Sequence, residues 1–69
     1  MNRKISKYVQ QTMDAIGDKV LTKSTLTGNY FDQDRNEFDG MHVDVLLELG
    51  YFVREFDTNR FVFLFRRKQ

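Results

Sequence analysis

Residues 51–67 read Tyr51-Phe52-Val53-Arg54-Glu55-Phe56-Asp57-Thr58-Asn59-Arg60-Phe61-Val62-Phe63-Leu64-Phe65-Arg66-Arg67. Two apolar runs, 51–56 and 61–67, flank Asp57-Thr58-Asn59-Arg60, where Asn59 tolerates a positive φ, and the pattern predicts a β-hairpin. With a loop of two or four residues, Phe56 faces Phe61 and Phe52 faces Phe65. Phe52, Phe56, Phe61, Phe63 and Phe65 then share one face with Arg54, and Tyr51, Val53, Val62 and Leu64 share the other. A three-residue loop would exchange these sets, because a one-residue slip swaps faces. Either way the hairpin is apolar on both sides, whereas one layer of helix covers only one side of a sheet. The second cover is a further helix of the same chain, so that two helices sandwich the hairpin, or a second copy, or a partner.

Working outward, Asp39 is placed to cap a helix over about 40–49. Val43, Leu46, Leu47 and Gly50 recur at helical spacing, Val45 and Leu49 broaden the apolar face, and Gly50 stops the helix. At the other end Ile5, Tyr8, Val9, Met13, Ile16 and Val20 form a second stripe at helical spacing. It predicts a helix over about 3–17, capped by Asn2 and closed by Gly17. Residues 18–38 admit two readings: a short strand through the β-branched Val20-Leu21-Thr22 and Thr25-Leu26-Thr27, or a short helix capped by Ser24. Gly28-Asn29 marks a turn, and Asp32 to Asp39 reads as a polar loop. The fold class expected is α+β, in one small domain: N-terminal helix, second helix and C-terminal antiparallel hairpin.

The chain has 69 residues, 11 Lys/Arg against 10 Asp/Glu and no cysteine. A domain of this length buries only about 60% of the surface its unfolded chain exposes. The charge balance speaks against a bulk polycation, and the lack of cysteine excludes disulfides, thiolate zinc ligands and thiol nucleophiles. No apolar run reaches the roughly 18 residues of a membrane span, and no apolar signal core follows Met1-Asn2-Arg3-Lys4, so a cytoplasmic location is expected. The neutral total hides a pattern. Residues 1–27 carry net +3, residues 28–50 net −5 and residues 51–69 net +3. Should the two ends meet, Arg3, Lys4 and Lys7 would join Arg66, Arg67 and Lys68 in one basic patch.

The 39–67 segment resembles the second half of a winged helix-turn-helix domain. Its pattern is a helix with Leu46, then Leu49-Gly50-Tyr51, Val53-Arg54, Asp57 and Arg60-Phe61-Val62-Phe63. The resemblance implies that 40–49 is the recognition helix, which in that family enters the DNA major groove, and that 51–67 is the wing. The sequence departs from that pattern in two places. The 40–49 helix offers Met41, His42, Asp44 and Glu48, with Asp39 at its start, where base readers offer Arg, Lys, Asn or Gln. Carboxylates facing phosphates oppose binding. The preceding helix would fall in the polar, acidic 28–39 stretch. A winged-helix-like fold turned to protein binding fits these residues better.

Chemistry-bearing constellations are sparse. Asp32-Gln33-Asp34-Arg35-Asn36 is similar to the start of a calcium-binding EF-hand loop, but Glu37 replaces the required Gly and Val43 the closing Glu, so no metal is assigned. Phe61, Phe63 and Phe65 alternate beside Arg60, Arg66 and Arg67. They read as a core stripe before they read as a platform for single-stranded bases. His42 and Asp44 stand two apart and diverge on a helix, and no nucleophile, base and orienting acid share a spacing, so no enzyme and no cofactor are expected. The expected function is a non-enzymatic regulator or inhibitor acting through a protein partner or by self-association. The protein-interface candidates are Phe52, Phe56, Phe61, Phe63, Asp44 and Glu48. The alternative is a winged-helix-like DNA-binding transcription regulator using Arg3, Lys4, Lys7, Arg54, Arg60, Arg66, Arg67 and Lys68.

Overall fold

A computed structural model describes residues 5–68. Two helices, α1 (Lys7–Ile16) and α2 (Gly40–Glu48), accompany five strands: β1 (Leu21–Lys23), β2 (Tyr30–Phe31), β3 (Glu37–Phe38), β4 (Phe52–Asp57) and β5 (Val62–Arg67). The strands form one antiparallel sheet in the order β3-β2-β1-β5-β4. The α+β class holds, but three more strands are present than the hairpin alone.

Helix α1 starts later than the stripe predicts. Residues 5 and 6 are not helical, and Ser6 is the N-cap, its hydroxyl accepting from the Val9 N–H at 3.2 Å. Asn2, the expected cap, lies outside the described residues. Val9, Met13 and Ile16 are buried, whereas Tyr8, a member of the same stripe, is exposed. Gly17 closes the helix at φ +63°, as its freedom in the left-handed region allows. Helix α2 falls where expected, with the Asp39 carboxylate accepting from the Met41 N–H at 2.8 Å.

The middle of the chain follows the strand reading in part: no helix forms there, and Thr25-Leu26-Thr27 is a turn rather than a strand. Leu21–Lys23 is a strand, and Ser24 then caps a single turn, its hydroxyl facing the N–H groups of Leu26 and Thr27. The 32–39 stretch, expected as loop, contains β3 and a tight turn built on Asp32. That carboxylate is buried and accepts from the Asp34 and Asn36 N–H groups and the Asn36 amide, with the Lys19 ammonium 3.4 Å away. Thus β2 and β3 occupy the place where the winged-helix resemblance implies a further helix.

The hairpin register differs from expectation by two residues. Phe56 pairs with Phe63, Arg54 with Phe65 and Phe52 with Arg67, and Phe61 sits in the loop instead of opposite Phe56. Because the shift is even, the faces survive. The loop runs one residue past Arg60. Its Asp57 side chain accepts from the Asn59 N–H at 2.9 Å, its Asp57 carbonyl accepts from the Phe61 N–H at 2.8 Å, and Phe61, not Asn59, takes the positive φ, +56°.

Both helices pack on the same face of the sheet, so the sandwich arrangement is not formed. The core joins Val9, Met13 and Ile16 of α1, Val43 and Leu46 of α2, and Leu21, Tyr30, Phe52 and Phe65 of the sheet. A ten-residue helix is about 15 Å long, whereas a six-residue strand extends about 20 Å. Residues 54–56 and 61–63 are moreover exposed and outside the core, so the far half of the β4–β5 hairpin stands clear of the helices as a projecting wing, in a molecule of 39 × 21 × 19 Å. The opposite sheet face has no helix over it among the described residues. There Val20, Phe31, Val53 and Leu64 are half-buried among their neighbours, and the Arg66 guanidinium binds both oxygens of Glu55, at 2.6 and 2.9 Å.

Candidate functional site

The exposed phenylalanines lie on the helix side of the wing, past the ends of the helices, while Tyr51 and Val62 are exposed on the other side. Phe56 and Phe63 are about half exposed and Phe61 is 80% exposed. Their rings form one cluster, with centroids 6.0 Å apart for Phe56 and Phe61 and 5.1 Å for Phe56 and Phe63, both edge-on. The register explains the cluster: Phe56 and Phe63 are direct cross-strand partners, and the loop folds Phe61 back beside them. Arg54, on the same face, lays its guanidinium 4.7 Å from the Phe63 ring centroid.

Between this wing and the turn after β1 runs an open groove of about 960 Å³. Its floor includes Leu47, Phe52, Phe65 and Tyr30; its walls include Phe61, Phe63, Lys23, Arg54 and Arg60. Lys23 and Tyr30 oppose each other on β1 and β2, which places the ammonium 5.5 Å from the Tyr30 ring centroid. The Tyr30 hydroxyl donates to Asp44 at 2.7 Å, and its ring meets Phe65 edge-on at 4.9 Å. Burial, reinforced by the Asp44 carboxylate, pushes the Tyr30 hydroxyl well above its ordinary pKa of 10.0, so it remains a donor throughout the neutral range. Arg60 reaches the Asp57 carboxylate only at 3.8 Å and stays mostly in solvent.

The sequence candidates thus divide. Phe56, Phe61 and Phe63 come together and are accessible. Phe52, on the same face, is 2% exposed and belongs to the core, so it offers no surface. Asp44 lines the groove with one oxygen occupied by Tyr30, and Glu48 is exposed at the last residue of α2. Arg54 and Arg60 flank the groove. Arg66 is engaged by Glu55 on the other face; the hydrogen-bonded guanidinium holds the Glu55 carboxyl below its usual range, and Glu55 raises Arg66 in return. Arg66, Arg67 and Lys68 line a separate hollow with Asp18 and Val20, just past the C-terminal end of α1. Lys7 opens that helix, about 15 Å away at its other end. Arg3 and Lys4 lie outside the described residues.

Lys23 and Tyr30 escape the sequence reading. Their segment reads equally as strand or helix, and only the strand pairing brings them to the groove.

No protein-family model matches the chain, and neither a curated protein nor a solved structure matches it.

Proposed function

We propose that this chain is a non-enzymatic binding protein that acts as a regulator or inhibitor through a protein partner docked on its phenylalanine wing. The observation that carries the reading is Phe61. A bulky aromatic residue at φ +56° costs roughly 1 kcal/mol against glycine, and here the ring is 80% exposed and contributes nothing to the core. The edge-on contact with Phe56 offsets a cost of about that size, so the free molecule gains little net stability from a phenylalanine there. A ring kept at such a position, beside the half-exposed Phe56 and Phe63, is accounted for by contact with another molecule.

Phe61→Gly is the natural test, since it removes the ring and relieves the backbone. Wild-type and variant chains are immobilised side by side in lysate of the source cell, after circular dichroism has shown both folded. A partner retained by the wild type and released by Phe61→Gly is the expected result. Identical retention by the two chains, or no retained protein at low salt, overturns the reading.

The duplex-DNA alternative draws on the run of α2 into the wing and on Arg54 and Arg60. Against it stands the exposed side of α2, which presents Asp44 and Glu48 beside Asp39. It requires salt-dependent duplex binding that Arg66→Glu with Arg67→Glu weakens, and a chain that binds no duplex at low ionic strength removes it.

A further inference from the structure

We infer that the groove at the base of the wing receives an extended, acidic segment of the partner, with one apolar side chain seated between Leu47 and the Phe61 and Phe63 rings. The inference rests on the protein-partner reading and adds the chemistry and conformation of what docks.

Charge is the first argument. Lys23, Arg54 and Arg60 line the groove, against the single carboxylate of Asp44, which the Tyr30 hydroxyl already engages. An incoming segment with two or three carboxylates meets an excess of cations, since Arg60 reaches Asp57 only at 3.8 Å and stays mostly in solvent, and one with lysines meets repulsion. The backbone is the second. Strand β1 pairs with β5 only at Leu21↔Phe65 and Thr22↔Leu64, and the chain then turns away at Ser24 to pair with Asn29. The pairing of β1 with β5 therefore stops short of Phe63, and Val62 and Phe63 are paired with β4 alone among the described residues. An extended segment entering the groove continues the line of β1 along that edge and takes up its free main-chain groups, a recurring mode of peptide capture. The floor is the third: Leu47, Phe52 and Phe65 lie beneath the opening, and Phe61 and Phe63 close on an apolar side chain from the wing. A single-stranded nucleic acid would use the rings and the cations but would leave the strand edge unused.

The test selects a random heptapeptide library, displayed on a carrier, against the wild-type chain and counter-selects on Phe61→Gly. The expected winners carry at least two carboxylates and one apolar residue. As synthetic peptides they lose about tenfold in affinity to Lys23→Glu or Arg60→Glu, and they weaken with added salt. Winners that depend on Phe61 but show no acidic bias overturn the inference while leaving the partner reading in place. A library with no Phe61-dependent winner overturns both. Two further measurements accompany the selection. Fluorescence anisotropy with a labelled fifteen-residue oligo-dT that binds the wild type and not Phe61→Gly assigns the groove to nucleic acid. A concentration-dependent dimer in sedimentation that Phe61→Gly dissociates assigns it to a second copy. Either result overturns the inference.

Discussion

Tyr30, Asp32 and the pair Thr12–His42 show how single side chains hold this small core. The Tyr30 hydroxyl reaches Asp44 at the edge of solvent, so Tyr30→Phe removes one hydrogen bond without leaving a buried orphan and is expected to cost about 1 kcal/mol, read from urea unfolding. Because its folded pKa is raised, its contribution is complete below the ordinary value of 10.0 and fades as the pH climbs above it. In an ultraviolet titration Tyr30 is expected to ionise well above pH 10, together with alkaline unfolding. Asp32 has the opposite sign. The Asn36 amide first, then the turn N–H groups and Lys19, hold its carboxyl below its ordinary 3.8, so its contribution is present above that pH and lost as the pH falls through the depressed value. Asp32→Asn is therefore expected to lower the Tm at pH 7, with the difference from wild type shrinking below about pH 4. The Thr12 hydroxyl lies 3.1 Å from the Tyr8 carbonyl oxygen and 2.9 Å from His42 Nδ1, and its hydrogen bond with His42 ties α1 to α2. None of these contacts is legible locally, since each joins residues distant in sequence or depends on a turn first being made.

At the scale of elements, α2 was the easiest to read and the β2–β3 pair the hardest. Asp39, the Val43-Leu46-Leu47 spacing and Gly50 are all local signals, and they act through atoms a few residues apart. Strands of two residues carry no periodicity. Tyr30-Phe31 and Glu37-Phe38 become strands only because β1 offers Tyr30 an edge and β2 in turn offers one to Phe38. The join between that pair and α2 is tight. A Cβ on Gly40 would run into the Gly28 carbonyl oxygen, and the Gly40 N–H already donates to Asn29 Oδ1 at 3.0 Å. Gly40→Ala is expected to destabilise the chain by about 2 kcal/mol despite alanine's better helix propensity, measured by denaturant unfolding. An outcome near zero would mean that the 28–29 turn moves freely away from α2.

Across the whole molecule, core and wing separate cleanly. Every core residue lies before Val53 or after Leu64. Glu55 and Leu64 are cross-strand partners, so deleting residues 56–63 and joining these two through Asn-Gly gives a shorter hairpin with a favoured two-residue turn. The shortened chain is expected to keep its fold by circular dichroism and amide NMR shifts while losing partner retention; a shortened chain that unfolds would show that the wing is structural. The sequence alone determined the α+β class, both helices and the hairpin, because periodicity, caps and turn residues act over a few positions; which rings of its two strands share a face waited on the register. Only the tertiary structure decided that both helices share one face and that the exposed phenylalanine rings lie beyond their ends. That outcome depends on the lengths of packed elements and on pairings such as Leu21 with Phe65, which link residues far apart in the chain.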